Sequence, residues 1–235
     1  MNKLHQEILK IIQKEAEETT VKAEKGSSYG GHKDLNYPLS RPEERTIAKE
    51  FLKKHQNLRQ SEFIDLLDSL YNGKSTNEKS IAGLLLENGT KYRRKLDPQK
   101  LDKWLEYLDG WAQVDSLCQS NFPAKEVLAN WEDWKKLIKS LNKSENINKR
   151  RASLVLLVKS VRESKDEKLA NLSFEMIANL KTEKDKLITK AISWLLREMI
   201  KNYRQRIENY LEENKNSLPS IAIRETTNKL KTGKK

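Results

Sequence analysis

One cysteine, Cys118, stands in a chain of 235 residues, so no disulfide can form within it, and a reducing cytosol is the setting that fits. Eight glycines and five prolines are too few for the many tight turns of an all-β fold. The three histidines, His5, His32 and His55, are scattered, and with a single cysteine they offer no metal-ligand spacing. None sits near a plausible nucleophile, which leaves Ser–His and Cys–His chemistry without support. The chain is therefore expected to work with no metal and no organic cofactor. No apolar run approaches the roughly 20 residues that span a bilayer. Met1 to Lys14 alternates charged and apolar residues at helical spacing, unlike a signal peptide. A soluble, cytoplasmic protein is expected.

What the chain has in abundance is charge. Charged residues make up 34% and apolar residues 36%, a balance that suits helices with one long solvated face. The net charge is +12, and it is unevenly spread: residues 1–138 carry 23 Lys and Arg against 22 Asp and Glu, whereas residues 139–235 carry 23 against 12. A basic second part of this kind suits a surface facing phosphates, though a lysine-rich solvated surface has the same composition.

Helical periodicity recurs along the chain. His5–Glu18 reads as a helix, residues 34–41 as irregular within a loop over about 25–41, and Pro42 opens a helix that runs to about His55. Ser61 is placed to cap the next, which Asn72-Gly73 closes. Further helices are expected over 76–91, 97–109, 111–120, 123–141, 147–162, 166–180, 184–202, 204–213 and 219–230, with a short tail at 232–235 and no strand. About twelve helices joined by short turns predict an all-α, HEAT-like solenoid of stacked antiparallel hairpins, a single domain over 1–235 with a concave basic groove.

Two glycine-containing segments fail as nucleotide motifs. Gly73-Lys74-Ser75-Thr76 looks like the end of a phosphate-binding loop, but the first glycine of that motif falls on Asp68, and a helix precedes it instead of a strand. Gly26-Ser27-Ser28-Tyr29-Gly30-Gly31 lacks the strand–helix–strand context of a dinucleotide fingerprint.

Four other segments carry more. Trp111 and Asp115 lie one helical turn apart on one face. Arg150-Arg151 opens an apolar run, and Trp194 sits inside Ala191-Ile192-Ser193-Trp194-Leu195-Leu196-Arg197-Glu198. From spacing alone Trp111 and Trp194 also read as core residues, and Asp115, Arg150 and Arg151 as solvated charges. Trp111-Ala112-Gln113-Val114-Asp115-Ser116 resembles the Trp-Asp-x-Val-Asp segment of the AlkD-type DNA alkylation repair family, which are HEAT-like repeat DNA glycosylases. Arg150 to Leu154 is similar to that family's Arg-x-x-Leu/Ile helix start, Ala191 to Glu198 to its Ala-Ile-Gly-Trp-x-Leu-Arg-Glu block, and Pro42-Glu43-Glu44-Arg45 to its Pro-Glu-x-Arg helix opening. The four blocks occur in family order.

The resemblance implies that Asp115 is the catalytic carboxylate, that Trp111 and Trp194 flank the damaged nucleotide, and that Arg151, or Arg150 one register away, stands beside the lesion. Arg45, Arg150, Lys190 and Arg197, within or beside these blocks, are the candidate DNA contacts. It further implies hydrolysis of the N-glycosidic bond of cationic N3- or N7-alkylpurines in double-stranded DNA, without base flipping, by a nucleoid-associated monomer acting in base excision repair. A non-catalytic helical-repeat protein that binds damaged or branched DNA is the alternative, and a protein-binding scaffold a third reading that the basic second part disfavours. The sequence departs from the family at Pro38, at Asp109-Gly110 and at Ser193, where the family has glycine beside the tryptophan.

Overall fold

The computed structural model describes residues 2–19, 21–27 and 30–234. It is 71% helix, with thirteen helices and one two-stranded sheet among the described residues, an all-α repeat fold. Tertiary contacts divide the chain into two compact units, Met1–Leu117 and Cys118–Lys235.

In the first unit, α1 (Lys3–Glu17) starts at Asn2, whose side chain accepts a hydrogen bond from the His5 amide at 2.7 Å. A short hairpin follows, β1 (Glu24–Ser27) antiparallel to β2 (His32–Asn36), with Glu24 opposite Asn36 and Ser27 opposite His32. Next come α2 (Arg41–Lys54), α3 (Gln60–Tyr71), α4 (Thr76–Asn88), α5 (Thr90–Arg93), α6 (Lys100–Glu106) and α7 (Gly110–Cys118). Helix α4 packs on α1, α2, α3 and β2. Surrounded in this way it is apolar on several faces, and Ile81, Ala82, Leu84, Leu85 and Leu86 are all sealed from solvent.

Its N-terminus is fastened by a buried carboxylate. Glu78 accepts from the Ser75 amide at 2.8 Å and hydroxyl at 2.5 Å, and its other oxygen meets His5 Nε2 at 2.6 Å, joining α4 to α1. Burial raises the Glu78 pKa, but the bonds from His5 and Ser75 outweigh it and hold the carboxyl below its ordinary 4.5. A carboxylate depressed in the folded state stabilises the fold above its unfolded pKa, and that stabilisation is lost as pH falls through the folded value. Glu44, raised by burial, acts in the opposite sense. Denaturant titrations of parent and Glu78→Gln side by side are therefore expected to differ most near neutral pH and to converge below about pH 4.5.

The second unit holds α8 (Ala124–Ala129), α9 (Trp131–Asn142), α10 (Ile147–Glu163), α11 (Glu167–Leu180), α12 (Lys186–Glu213) and α13 (Ser220–Thr232). Each of α8 to α12 meets its sequence neighbour or the helix after next: α8 with α10, α9 with α11, α10 with α12. That is two-layer packing of helical hairpins. Helix α10 lies at its centre, with Leu154 to Val158 wholly buried. Helix α12 bends at Tyr203 (φ −133°, ψ 35°), at the break expected between 202 and 204. The Tyr203 hydroxyl donates to the carbonyls of Ser164 and Asp166, and burial lifts its pKa to about 12. Before the bend α12 lies along α13. Past it, Arg206 pairs with Glu167 of α11 and Lys181 donates to Asn214.

Several expectations require correction. The loop over 25–41 contains most of the hairpin; Ser28 and Tyr29 lie outside the described residues, as does Lys235 of the tail. The strands, Glu-Lys-Gly-Ser and His-Lys-Asp-Leu-Asn, have no apolar alternation to betray them. They are held instead by tertiary bonds: the Leu35 amide donates to the Lys74 carbonyl and the Tyr37 amide to Asn77 Oδ1. The helix expected over 76–91 breaks at Gly89 (φ −84°, ψ 50°), and that over 123–141 at Asn130 (φ −126°, ψ 50°). Helix α3 is capped at Arg59, with Glu62 bonded back to the Arg59 amide at 2.8 Å, two residues before the expected Ser61.

Candidate nucleic-acid interface

Helix α7 carries Trp111 and Asp115, and three features position it within the first unit. Gly110 has φ +72°, and a Cβ there would lie 2.3 Å from the Gly30 carbonyl oxygen, so only glycine lets the hairpin turn press against the start of the helix. Gly83 does the same on the other side: a Cβ on α4 at that position would meet the Ser116 carbonyl oxygen at 2.7 Å. The third feature is a polar link. Gln113 accepts from the Asp109 amide at 2.8 Å and donates to Asp34 of β2 at 2.6 Å; the same Asp34 oxygen takes a bond from the buried Lys79 ammonium at 2.5 Å, which also donates to the Tyr107 carbonyl. Trp111 is half-buried, and Asp115 is buried, with 8% of the residue's surface exposed.

In the second unit the side chains of Arg151, Lys190, Trp194, Arg197 and Glu225 surround one cavity of about 290 Å³. Lys190, Trp194 and Arg197 follow at spacings of four and three along α12 and so share a face. Arg151 reaches them from α10, its Nη1 donating to the Leu187 carbonyl at 2.6 Å. Glu225 comes from α13, accepting from the Ser193 hydroxyl at 2.6 Å and standing 3.4 Å from Arg197 Nε. Three cations and one anion about a half-buried indole make an electropositive, partly apolar hollow.

Arg150 faces elsewhere. Its guanidinium binds Glu183 through Nε at 2.8 Å and Nη2 at 3.1 Å, while Nη1 donates to the carbonyls of Ser144 and Glu145. That set joins the start of α10 to the turn after α11 and occupies all three nitrogens. Arg45 lies on α2 in the first unit, half exposed, 3.6 Å from Glu87.

The model of the DNA alkylation repair enzyme family matches residues 12–230. The chain belongs to that family. Its fold is similar to that of a predicted DNA alkylation repair enzyme from Enterococcus faecalis, with a TM-score of 0.70 at 20% identity over 86% of this chain and 91% of the other. No curated protein matches the sequence. Membership makes DNA the expected substrate class, and among the described residues no helix is long and apolar enough to cross a membrane.

Two groups in this family member escaped the sequence reading. Gln113 sits between Trp111 and Asp115 inside a quoted block, yet its partner Asp34 is 79 positions away. Glu225 lies 32 positions from Ser193, and the only hint of it was the serine standing where the family has glycine.

Proposed function

We propose that this chain is a DNA-alkylpurine glycosylase, hydrolysing the bond between deoxyribose C1′ and the nitrogen of a cationic N3- or N7-alkylated purine in duplex DNA. The observation that carries this reading is the cavity where Arg151, Lys190 and Arg197 stand around Trp194 in a member of the DNA alkylation repair enzyme family. The cations suit backbone phosphates, and the indole suits a flat or cationic group beside them.

The chemistry follows from the lesion. A purine alkylated at N3 or N7 carries a positive charge and leaves as a neutral base, so no general acid is needed. As the C1′–N bond lengthens, positive charge moves to the sugar, resembling the oxocarbenium state of glycoside hydrolysis. Asp115 is the proposed stabiliser of that charge. Recessed from solvent on a helix fastened at three points, its carboxylate pays little reorganisation in the transition state. Water then bonds to C1′ and gives up a proton, completing the exchange without a covalent intermediate. Base extrusion into a pocket has no part in this scheme. Trp111 and Trp194 contribute through their ring faces, about 0.5–2 kcal/mol each.

The test is release of 7-methylguanine or 3-methyladenine from methylated duplex by the parent chain, with duplex binding measured in parallel. Release above the spontaneous rate supports the glycosylase, and tight binding without release supports the non-catalytic alternative. The two neighbouring arginines are expected to separate here. Arg151→Ala should lower the release rate about tenfold, as loss of one charge-assisted phosphate bond does. Arg150→Ala should lower the melting temperature and leave release by the folded protein near parent level. The opposite pattern would transfer the lesion-side role to Arg150.

A further inference from the structure

Glu225 is an anomaly in a cavity otherwise built for anions. It lines the same hollow as Arg151, Lys190 and Arg197, and a carboxylate there opposes the binding of phosphate. Its geometry offers a reason for its presence. The buried Ser193 hydroxyl donates to Glu225 Oε2 at 2.6 Å, and the same oxygen stands 3.4 Å from Arg197 Nε. Arg197 Nε donates to the Ser193 carbonyl at 3.2 Å and, more weakly, to the Ser193 hydroxyl at 3.4 Å, so Ser193 takes the hydrogen bonds of the guanidinium's inner edge and Glu225 faces it as an ion pair. Its terminal nitrogens, Nη1 and Nη2, make no hydrogen bond among the described residues, and the side chain is only 10% exposed at the cavity wall. A guanidinium held by Nε with its outer fork unoccupied has the arrangement that takes two oxygens of one phosphate at once.

We propose that Glu225 is a positioning residue for Arg197: anchored by Ser193, it fixes the guanidinium so that the outer fork meets a backbone phosphate of the bound duplex. The proposal rests on the glycosylase reading for its kinetic arm, but not for its binding arm. It also accounts for Ser193 beside Trp194, since the hydroxyl that replaces the family's glycine there is what holds Glu225.

The test compares Glu225→Ala, Glu225→Gln, Arg197→Ala and the Glu225→Ala/Arg197→Ala pair in the full chain, on a duplex oligonucleotide containing 7-methylguanine. At saturating protein, Glu225→Ala is expected to slow single-turnover release about tenfold, the size of one charge-assisted phosphate bond. Glu225→Gln, which keeps an acceptor at the same place, should stay within about twofold of the parent. In the Arg197→Ala background, Glu225→Ala should change nothing more. A merely structural role predicts additive losses and no rescue by glutamine, and either result would overturn the proposal, as would an unchanged rate in Glu225→Ala. If Glu225→Ala fails to fold, Ser193→Ala carries the test from the other end of the bond and should slow release in the same direction. Should the parent release no base, the glycosylase reading fails and the binding arm decides alone. Loss of one phosphate contact flattens the dependence of log affinity on log salt by about 0.9. Arg197→Ala and Glu225→Ala should both show that flattening and Glu225→Gln should not; a parent-like slope for Glu225→Ala refutes the proposal.

Discussion

Asp115→Asn is expected to slow release of 7-methylguanine and 3-methyladenine by about 10²- to 10³-fold, the range seen when one preorganised charge-stabilising group is removed from an active site. The change keeps the size and shape of the side chain, removes its charge and turns one acceptor oxygen into a donor. Because Asp115 retains just 8% of its surface, the field of its carboxylate is less screened than that of an exposed acid, which is why the effect should exceed that of losing either indole. Duplex affinity should hold or rise, since a negative charge leaves a surface proposed to face phosphates. Base-release kinetics and binding isotherms on the same methylated duplex check both halves. Release at the parent rate would take Asp115 out of the mechanism, and a parallel fall in binding and release would make it a folding residue.

The second large effect concerns Gly110. Gly110→Ala should destabilise the chain by about 3 kcal/mol or more, because two costs coincide. The backbone sits at φ +72°, which an L side chain occupies only at a penalty, and the added methyl would overlap the carbonyls of Gly30 and Gly31 at 2.3–2.4 Å. Gly233 separates the two costs: it has the same φ of +72° with nothing within 4 Å, so Gly233→Ala should cost only about 1 kcal/mol. Denaturant unfolding of both variants measures the difference, which is the worth of the hairpin's contact with α7. Equal losses would mean that this contact does not hold the helix. In the proposed enzyme, Gly110→Ala should also lower base release by the folded fraction, because displacing the start of α7 moves Trp111 and Asp115 together.

Much of this protein was legible before its structure. Long apolar periods marked α1, α2, α10 and α11, and even the bend of α12 at Tyr203 appeared as a gap between two expected helices, because the amphipathic period is a local property written every three or four residues. The ordered blocks around Arg45, Trp111, Arg151 and Trp194 pointed to the family for the same reason: each is a short run that can be read in place. The hairpin was not legible, since its polar strands carry no period and are held by Lys74, Asn77 and Lys79 from elsewhere in the chain.

What the sequence by itself determined is therefore the helical class, the basic second part and the family, all of which follow from composition and local pattern. Only the tertiary structure decided which of two adjacent arginines faces the cavity and which is tied to Glu183. It also decided that Gln113 is bonded to Asp34, and that a glutamate 32 residues downstream meets Ser193. Neighbours one position apart differ by about 100° around a helix, so which face each one takes is settled by the packing of α10 on α12, and hydrogen bonds between distant segments leave no trace in either segment alone.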